Sequence, residues 1–338
     1  MGEDAQGRRP SIRDVARLAD VSHQTVSRVL NNHPSIRPET RSRVLDVMAQ
    51  LQYRPNRAAR ALVTSRSQTI GILAASSTQY GPASSIAAIE AAARARGYWV
   101  STAYIEARDP ESIAQGIAHL VAQSIEGLVV IAPQVRVIRA IAAQHLDIPY
   151  VTLQSTELDP GHALSVDQIA GARLATRHLI ELGHRHIYHL AGPQDWIEAE
   201  ARMRGFLEEM SAQDVPTTAP ILGDWTADFG YHAGRELLSV RDFTAIFSSN
   251  DQMALGLLHA VREEGLDVPG DISIVGFDDI PEAAHFSPPL TTVRQDFPEL
   301  GRRCVDLLLG AAAGEEPVSA AIVPELIVRG STGPIPTR

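Results

Sequence analysis

Five polar side chains fall on the outward positions of one short helical pattern, His23, Gln24, Ser27, Arg28 and Asn31, with Thr25 among them. Val26, Val29 and Leu30 fall on the other face, the division expected of an amphipathic helix. In a DNA major groove glutamine pairs bidentately with adenine and arginine with guanine, so His23, Gln24 and Arg28 are the candidate base readers. The competing reading is the solvated face of a small helical bundle. A second group, His184, His186 and His189, has a spacing that invites a metal reading. Gly183-His184 reads as a turn before a strand, however, and no cysteine or carboxylate completes a shell, so neither metal nor cofactor is expected. Asp278 and Asp279 do not make an acid–base pair, because adjacent residues at a strand end point apart. No nucleophile elbow, phosphate-binding loop or metal triad is present, which ranks an enzyme acting on a sugar or nucleoside low.

The polar helix needs a frame, and the surrounding sequence supplies one. Ser11-Ile-Arg-Asp14 is a capping box, and Ile12, Val15, Ala16 and Ala19 recur at helical spacing behind it. Asp20-Val21-Ser22 forms a turn, with Ser22 placed to cap the second helix. A third helix starts at Pro38, with Val44, Val47, Met48 and Leu51 as its buried stripe. Three short helices with this turn make a helix-turn-helix. Charge agrees: residues 1–66 hold 12 arginines against six carboxylates, a net +6, whereas the whole chain carries −10 and the remainder therefore −16. A basic head on an acidic body suits phosphate binding at one end. Every basic residue is arginine, a bias that, with the heavy alanine usage, reads as compositional.

From Thr69 onward the pattern changes to apolar runs alternating with alanine-rich helical segments, the signature of α/β architecture. The spacing predicts strands at 69–74, 98–103, 127–131, 150–153, 186–190, 245–248 and 272–276, and helices at 86–96, 113–123, 170–182 and 253–264. Parallel, doubly wound sheets are the expected outcome, and a chain of 338 residues has room for more than one compact unit. No run of residues is apolar enough for a membrane span and the first ten residues have no signal-peptide core, so a soluble, cytoplasmic protein is expected. The single cysteine, Cys304, reads as a buried structural thiol.

Specific motifs carry a resemblance. The run Asp14-Val-Ala-Arg-Leu-Ala-Asp-Val-Ser-His-Gln-Thr-Val-Ser-Arg-Val-Leu-Asn31 resembles the LacI/GalR signature, and Tyr53-Arg-Pro-Asn-Arg-Ala-Ala-Arg-Ala-Leu62 resembles that family's hinge. Core motifs follow in order, among them Ala191-Gly-Pro193, Arg202-Met-Arg-Gly-Phe206, Ser249-Asn-Asp-Gln-Met-Ala-Leu-Gly256, Gly270-Asp-Ile-Ser-Ile-Val-Gly-Phe-Asp-Asp279 and Pro289-Leu-Thr-Thr-Val293. The resemblance implies a helix-turn-helix domain over 1–55, a hinge helix and linker over 56–67, and a periplasmic-binding-protein-like effector core of two doubly wound subdomains over 68–338. Their bounds would be about 68–166 plus 295–325 for the N-subdomain, and about 167–294 plus 326–333 for the C-subdomain.

In that family the hinge orders on operator DNA and wedges a leucine into the minor groove. Here the wedge would be Leu62, with Asn56 capping the helix and Ala59 permitting close approach; on the residues alone, linker packing competes with this reading. For the effector, Arg202, Asn250 and Asp278 fall where members bind ligand hydroxyls, Trp225 where a sugar stacks, and Gln295 where the cleft closes. Trp196 would add a second aromatic wall, although without the resemblance Trp225 reads as core. Gln154 lies near the position of a pocket carboxylate in a galactoside-responsive member, a departure that argues against carrying that ligand over. The resemblance thus implies a homodimeric repressor of carbohydrate-utilisation genes that binds a pseudopalindromic operator and a sugar-like effector, without a C-terminal leucine-heptad tail. The alternative within the family is a regulator responsive to a purine or nucleoside.

Overall fold

The structure, a computed structural model, describes residues 10–30, 33–53, 66–75, 78–132, 134–144, 146–153, 162–315 and 320–335. Contacts divide the chain after Ser67 into two compact units. The first holds α1 (Ile12–Leu18), α2 (His23–Leu30) and α3 (Pro38–Gln50). Ser11 and Asp14 close the capping box on α1, and Pro38 starts α3. Val15, Ala16, Ala19, Val26, Val29 and Val44 are buried together as its core, and Val47, Met48 and Leu51 are half-buried against them.

The second unit contains two sheets. One is built from β1 (Thr69–Ala75), β2 (Trp99–Ile105), β3 (Gly127–Ile131), β4 (Tyr150–Leu153) and β5 (Ala163–Leu164), all parallel, in the order β2-β1-β3-β4-β5. Helices α4 (Tyr80–Ala95), α5 (Pro110–Ala122) and α6 (Val135–Ala142) lie between its strands in sequence. The other follows α7 (Gln168–Glu181) and contains β6 (Ile187–Ala191), α8 (Ile197–Ala212), β7 (Ile221–Leu222), α9 (Ala227–Val240), β8 (Ala245–Ser248), α10 (Asp251–Glu263), β9 (Ser273–Asp278) and β10 (Thr291–Arg294). Helix α11 (Phe297–Ala312) then returns to the first sheet, and β11 (Glu325–Ile327) closes the second.

The second sheet runs β11-β10-β9-β8-β6-β7. Its edge pairing β10–β11 is antiparallel, which corrects the expectation of purely parallel sheets, the other pairings being parallel. The reason is that β11 comes back from the first sheet and pairs along β10 from the opposite direction. Strands with buried residues on both faces, such as β3 and β8, read as continuous apolar runs because helices cover both sides. Cys304 is buried in α11 and its thiol is pushed up to about 12 by that burial. Among the described residues no helix is long and apolar enough to cross a membrane.

The chain passes between the sheets three times, and the passages are tied together. Val166 bridges Ile322, with Asp167 N donating to Ile322 O (2.8 Å) and Ile322 N to Ser165 O (2.9 Å). Beside them Gln168 Nε2 donates to Gln295 Oε1 (2.8 Å), joining the first passage to the second.

Helices α7 and α8 are joined by a buried carboxylate. Glu209 accepts from Arg173 Nε (3.0 Å) and from Arg177 Nε and Nη2 (2.7 and 2.9 Å). The Arg177 hydrogen bonds, with those of Arg173 and Gln213, hold its carboxyl at about 2. Because the folded-state pKa is depressed, the stabilisation is complete above the ordinary carboxylate range and is lost as pH falls toward 2. Both arginines are half-exposed, which discounts the gain to about 2 kcal/mol. Glu209→Gln is therefore expected to destabilise the core by about 2 kcal/mol at pH 7 in denaturant titrations, with the gap to wild type narrowing by pH 3. A gap that stays constant with pH would contradict this role.

Candidate functional site

In the first unit, the turn before α2 is made by Asp20 in the left-handed region (φ 50) and by Ser22, whose Oγ accepts from Thr25 N (3.1 Å). With Val26 and Val29 buried, His23, Gln24 and Arg28 are exposed and Ser27 is half-exposed, so the polar face stands free. Thr25 is half-buried, its hydroxyl 2.9 Å from that of Ser22, which places it in the cap as much as on the face. Asn31, Asn56, Ala59 and Leu62 lie outside the described residues.

In the second unit, a cavity opens beyond the carboxyl ends of both sheets, the position at which doubly wound folds hold ligands. Its empty space, counting the open mouth, is about 750 Å³. Tyr80 and Phe297, edge to face at 5.8 Å, line the side of the first sheet. Trp196 and Trp225, edge to face at 5.6 Å, line the side of the second. Each residue follows from a strand end: Tyr80 opens α4 after β1, Trp196 precedes α8 after β6, Trp225 follows β7 and Asp278 ends β9.

At its floor sits a charged pair almost without solvent contact. Arg202 and Asp278 are 5% and 6% exposed, with Nη2 3.3 Å from Oδ1. Arg202 also donates from Nε to Gln168 Oε1 (2.8 Å) and from Nη1 to the Ser249 carbonyl, and its guanidinium lies 3.8 Å above the Phe277 ring. Asp278 accepts from Gln295 Nε2 (2.7 Å). Burial draws the Arg202 pKa down and the Asp278 pKa up, and each opposes the other's shift. Asp278 and Asp279 both have positive φ (111° and 51°), a backbone cost of order 1–3 kcal/mol each that splits their side chains. Asp278 lines the cavity, whereas Asp279 accepts from Arg294 Nε (2.7 Å) and Arg329 Nη2 (2.6 Å).

Trp225 is both core and wall. It is 6% exposed and packs in the core of the second sheet, yet it lines the cavity, with Arg202 5.6 Å from its ring. Its seat depends on Gly192, where a Cβ would lie 2.1 Å from the indole Cη2. Asn250 reaches the cavity, but its amide is engaged internally: Oδ1 caps α10 at Met253 N (2.9 Å), and Nδ2 donates to Trp225 O and Gln252 Oε1 (3.0 Å each). Arg202, Asp278, Trp225, Trp196, Gln295 and Asn250 are thus brought together, while Gln154 lies outside the described residues.

Sequence reasoning missed Gln168, Tyr80 and Glu198, which also line the cavity. All three sit in the first turn of a helix that follows a strand, and that position was the available signal. The histidines have other uses. His184 Nε2 donates to the Gly333 carbonyl (3.0 Å), and the buried His189 packs against both Phe206 and Phe247 at 4.8 and 4.6 Å. His189 is pushed down to about 4 by burial, so its 3.4 Å approach to Ser249 Oγ is a buried contact away from the cavity lining rather than a nucleophile and its base. Among the described residues no group of three metal-binding side chains clusters.

Residues 11–56 match the family model of bacterial regulatory proteins of the lacI family, and residues 176–332 match that of a periplasmic binding protein-like domain. The chain is 35% identical over 321 residues to the lactose operon repressor of Escherichia coli strain K12, covering 94% of this chain and 89% of that one. It is 34% identical over 352 residues to the transcriptional regulator CelR of Thermobifida fusca, covering 96% and 98%. Among solved structures, a lac repressor dimer bound to operator and the anti-inducer ONPF superposes with a TM-score of 0.88 at 34% identity, covering 96% of this chain and 100% of that one. A CelR–cellobiose complex superposes at 0.70 and 31% identity, with coverage of 96% and 100%. The chain belongs to the LacI family of bacterial transcription regulators, DNA-binding proteins with a periplasmic-binding-protein-like effector domain, and it is not an enzyme.

Proposed function

We propose that this regulator is a cytoplasmic homodimer that represses carbohydrate-utilisation genes and that a small sugar sets its affinity for a pseudopalindromic operator. The observation that carries the sugar reading is the buried Arg202–Asp278 pair opening into an aromatic-walled cavity. A guanidinium beside a carboxylate offers donors and acceptors to neighbouring hydroxyls, and an indole face takes the C–H side of a pyranose. The cellobiose held by the CelR relative supports the same class of ligand. In this reading His23, Gln24 and Arg28 read bases, Thr25, Ser27 and Asn31 support them, and Asn56, Ala59 and Leu62 form the minor-groove hinge. Arg202, Asp278, Trp225 and Trp196 bind the sugar, while Gln295 and Asn250 hold those groups in place, and Gln154, outside the described residues, is a further effector contact carried by the resemblance alone.

Arg28→Ala is expected to cost on the order of 1–3 kcal/mol and to relax preference at one base position, as read by selection of operators from a random pool. An unchanged selected sequence would remove Arg28 from the base readers. Sedimentation with operator DNA is expected to give two chains per site, and a persistent monomer would contradict the dimer.

Thermal shift against a panel of glucose, galactose, cellobiose, lactose, adenosine and guanosine finds the effector class, since a ligand of the folded state raises the melting temperature. The strongest binder is expected to be a sugar and to change operator affinity several-fold to about a hundred-fold, a coupling of about 1–3 kcal/mol. Asp278→Asn is expected to abolish that response while leaving ligand-free operator binding nearly intact. A response only to nucleosides, or a full sugar response in the variant, would overturn the sugar site.

A further inference from the structure

Three buried side-chain polar atoms among the described residues have no hydrogen-bond partner: Gln134 Oε1, Glu198 Oε2 and Trp225 Nε1. Two of them, an acceptor and a donor, belong to residues that line the cavity above Arg202 and Asp278. Buried polar groups without a partner are uncommon, and leaving a charged one unmade costs more than leaving a neutral one. Glu198 stands in the first turn of α8, where its own backbone N–H supports the carboxylate. Its Oε2 is a buried carboxylate oxygen of the wall that no protein donor reaches, whereas Asp278 is taken by Arg202 and Gln295. We propose that Glu198 determines specificity by accepting a hydrogen bond from a hydroxyl of the effector, and that the effector is therefore bound with release of a proton from this carboxyl to solvent. The proposal rests on the sugar-sensor reading and adds to it the partner of one hydroxyl and a linked proton.

The surroundings of Glu198 support the proton linkage. Burial raises its pKa to about 7, its own backbone N–H and the Arg202 charge only partly opposing the rise. The charged and titratable groups around it are Arg202 on its own helix, Asp278 and Tyr80 across the cavity, and Asp167 at the N-cap of α7 with Arg173 and Arg177 on that helix, along a groove that Glu198 also borders. The arginines keep their charge and the Tyr80 phenol is shifted upward, away from neutrality, whereas burial carries the Glu198 carboxyl to about 7. A ligand hydroxyl that donates to Oε2 binds the ionised form, so affinity rises as pH passes upward through about 7 and levels off above it.

The test takes the strongest binder of the six-compound panel as its probe and measures its Kd at pH 6 and pH 8, with proton release read from calorimetry in buffers of different ionisation enthalpy. Wild type is expected to bind about tenfold more tightly at pH 8, releasing close to one proton per site at pH 6. Glu198→Gln, nearly isosteric, is expected to bind with the same affinity at both values and to release none. Glu198→Ala is expected to lose about tenfold or more at pH 8. If the wild type responds but its affinity is flat or falls with pH, or if Glu198→Gln keeps the pH dependence, the proposal is overturned and the sensor reading stands. If no panel compound raises the wild-type melting temperature, the sensor reading fails and this inference fails with it.

Discussion

Arg202 is a guanidinium cut off from water, and a buried charge of that kind is tolerated only where its partners meet it with good geometry. Asp278 supplies the opposite charge, the Ser249 carbonyl and Gln168 amide take further N–H groups, and the Phe277 ring lies beneath. Much of the effector core is arranged around that requirement. Asp278 reaches it through a left-handed backbone at the end of β9, and the same bend sends Asp279 to Arg294 and Arg329. Gln168 and Gln295, the amides that complete the pair, stand at two of the passages between the sheets. The ion pair that would meet a ligand is therefore bonded directly to the segments that link the two halves of the core.

The fold was legible where a strand was buried on both faces and long enough to show it. The bounds of β3, β4 and β8 coincide with their apolar runs, because each is covered by helices on both sides. The two-residue strands β5 and β7 carry too short a pattern to read, and the direction of β11 is fixed by a return from the other sheet that no local pattern records. Helix α4 starts at Tyr80, six residues before the periodicity at Ile86 announces it. The cavity is the reason: Tyr80, Gly81, Pro82 and Ser85 line it, so their pattern follows the site more than the core.

The site divides in the same way. Arg202 and Asp278 could be named from runs that resemble the family, and Trp225 from its place in that resemblance, yet the contacts that hold them are made with partners that motifs do not display. Glu198 sits beside Glu200 at the start of a helix, a pattern indistinguishable from a solvated first turn favoured by the helix dipole. Its lost solvation comes from the tertiary fold alone. Asn250 shows the converse, a residue on a recognised motif whose amide is already committed to capping α10 and holding the Trp225 carbonyl. The exposed polar face of α2 was legible in the sequence, because Val26 and Val29 pack into the small core of three helices and leave His23, Gln24 and Arg28 outside it.

Helix α11 comes from residues that follow the whole second sheet, yet Phe297, Leu300, Cys304, Val305 and Leu308 pack into the core formed with Ile70, Ile72, Val129 and Val151 of the first. During synthesis the five strands of that first sheet leave the ribosome without the helix that covers one of their faces. They must wait for more than 140 further residues, from Leu164 to the end of α11 at Ala312, before that face is shut from water. Domains usually fold as units in the order they emerge, and here the order is reversed for one half: the second sheet has nearly all its strands before the first can finish. Until then α4 alone packs on that face, through Ile89 and Ala93, and the apolar area that α11 will cover stays open to water for much of translation.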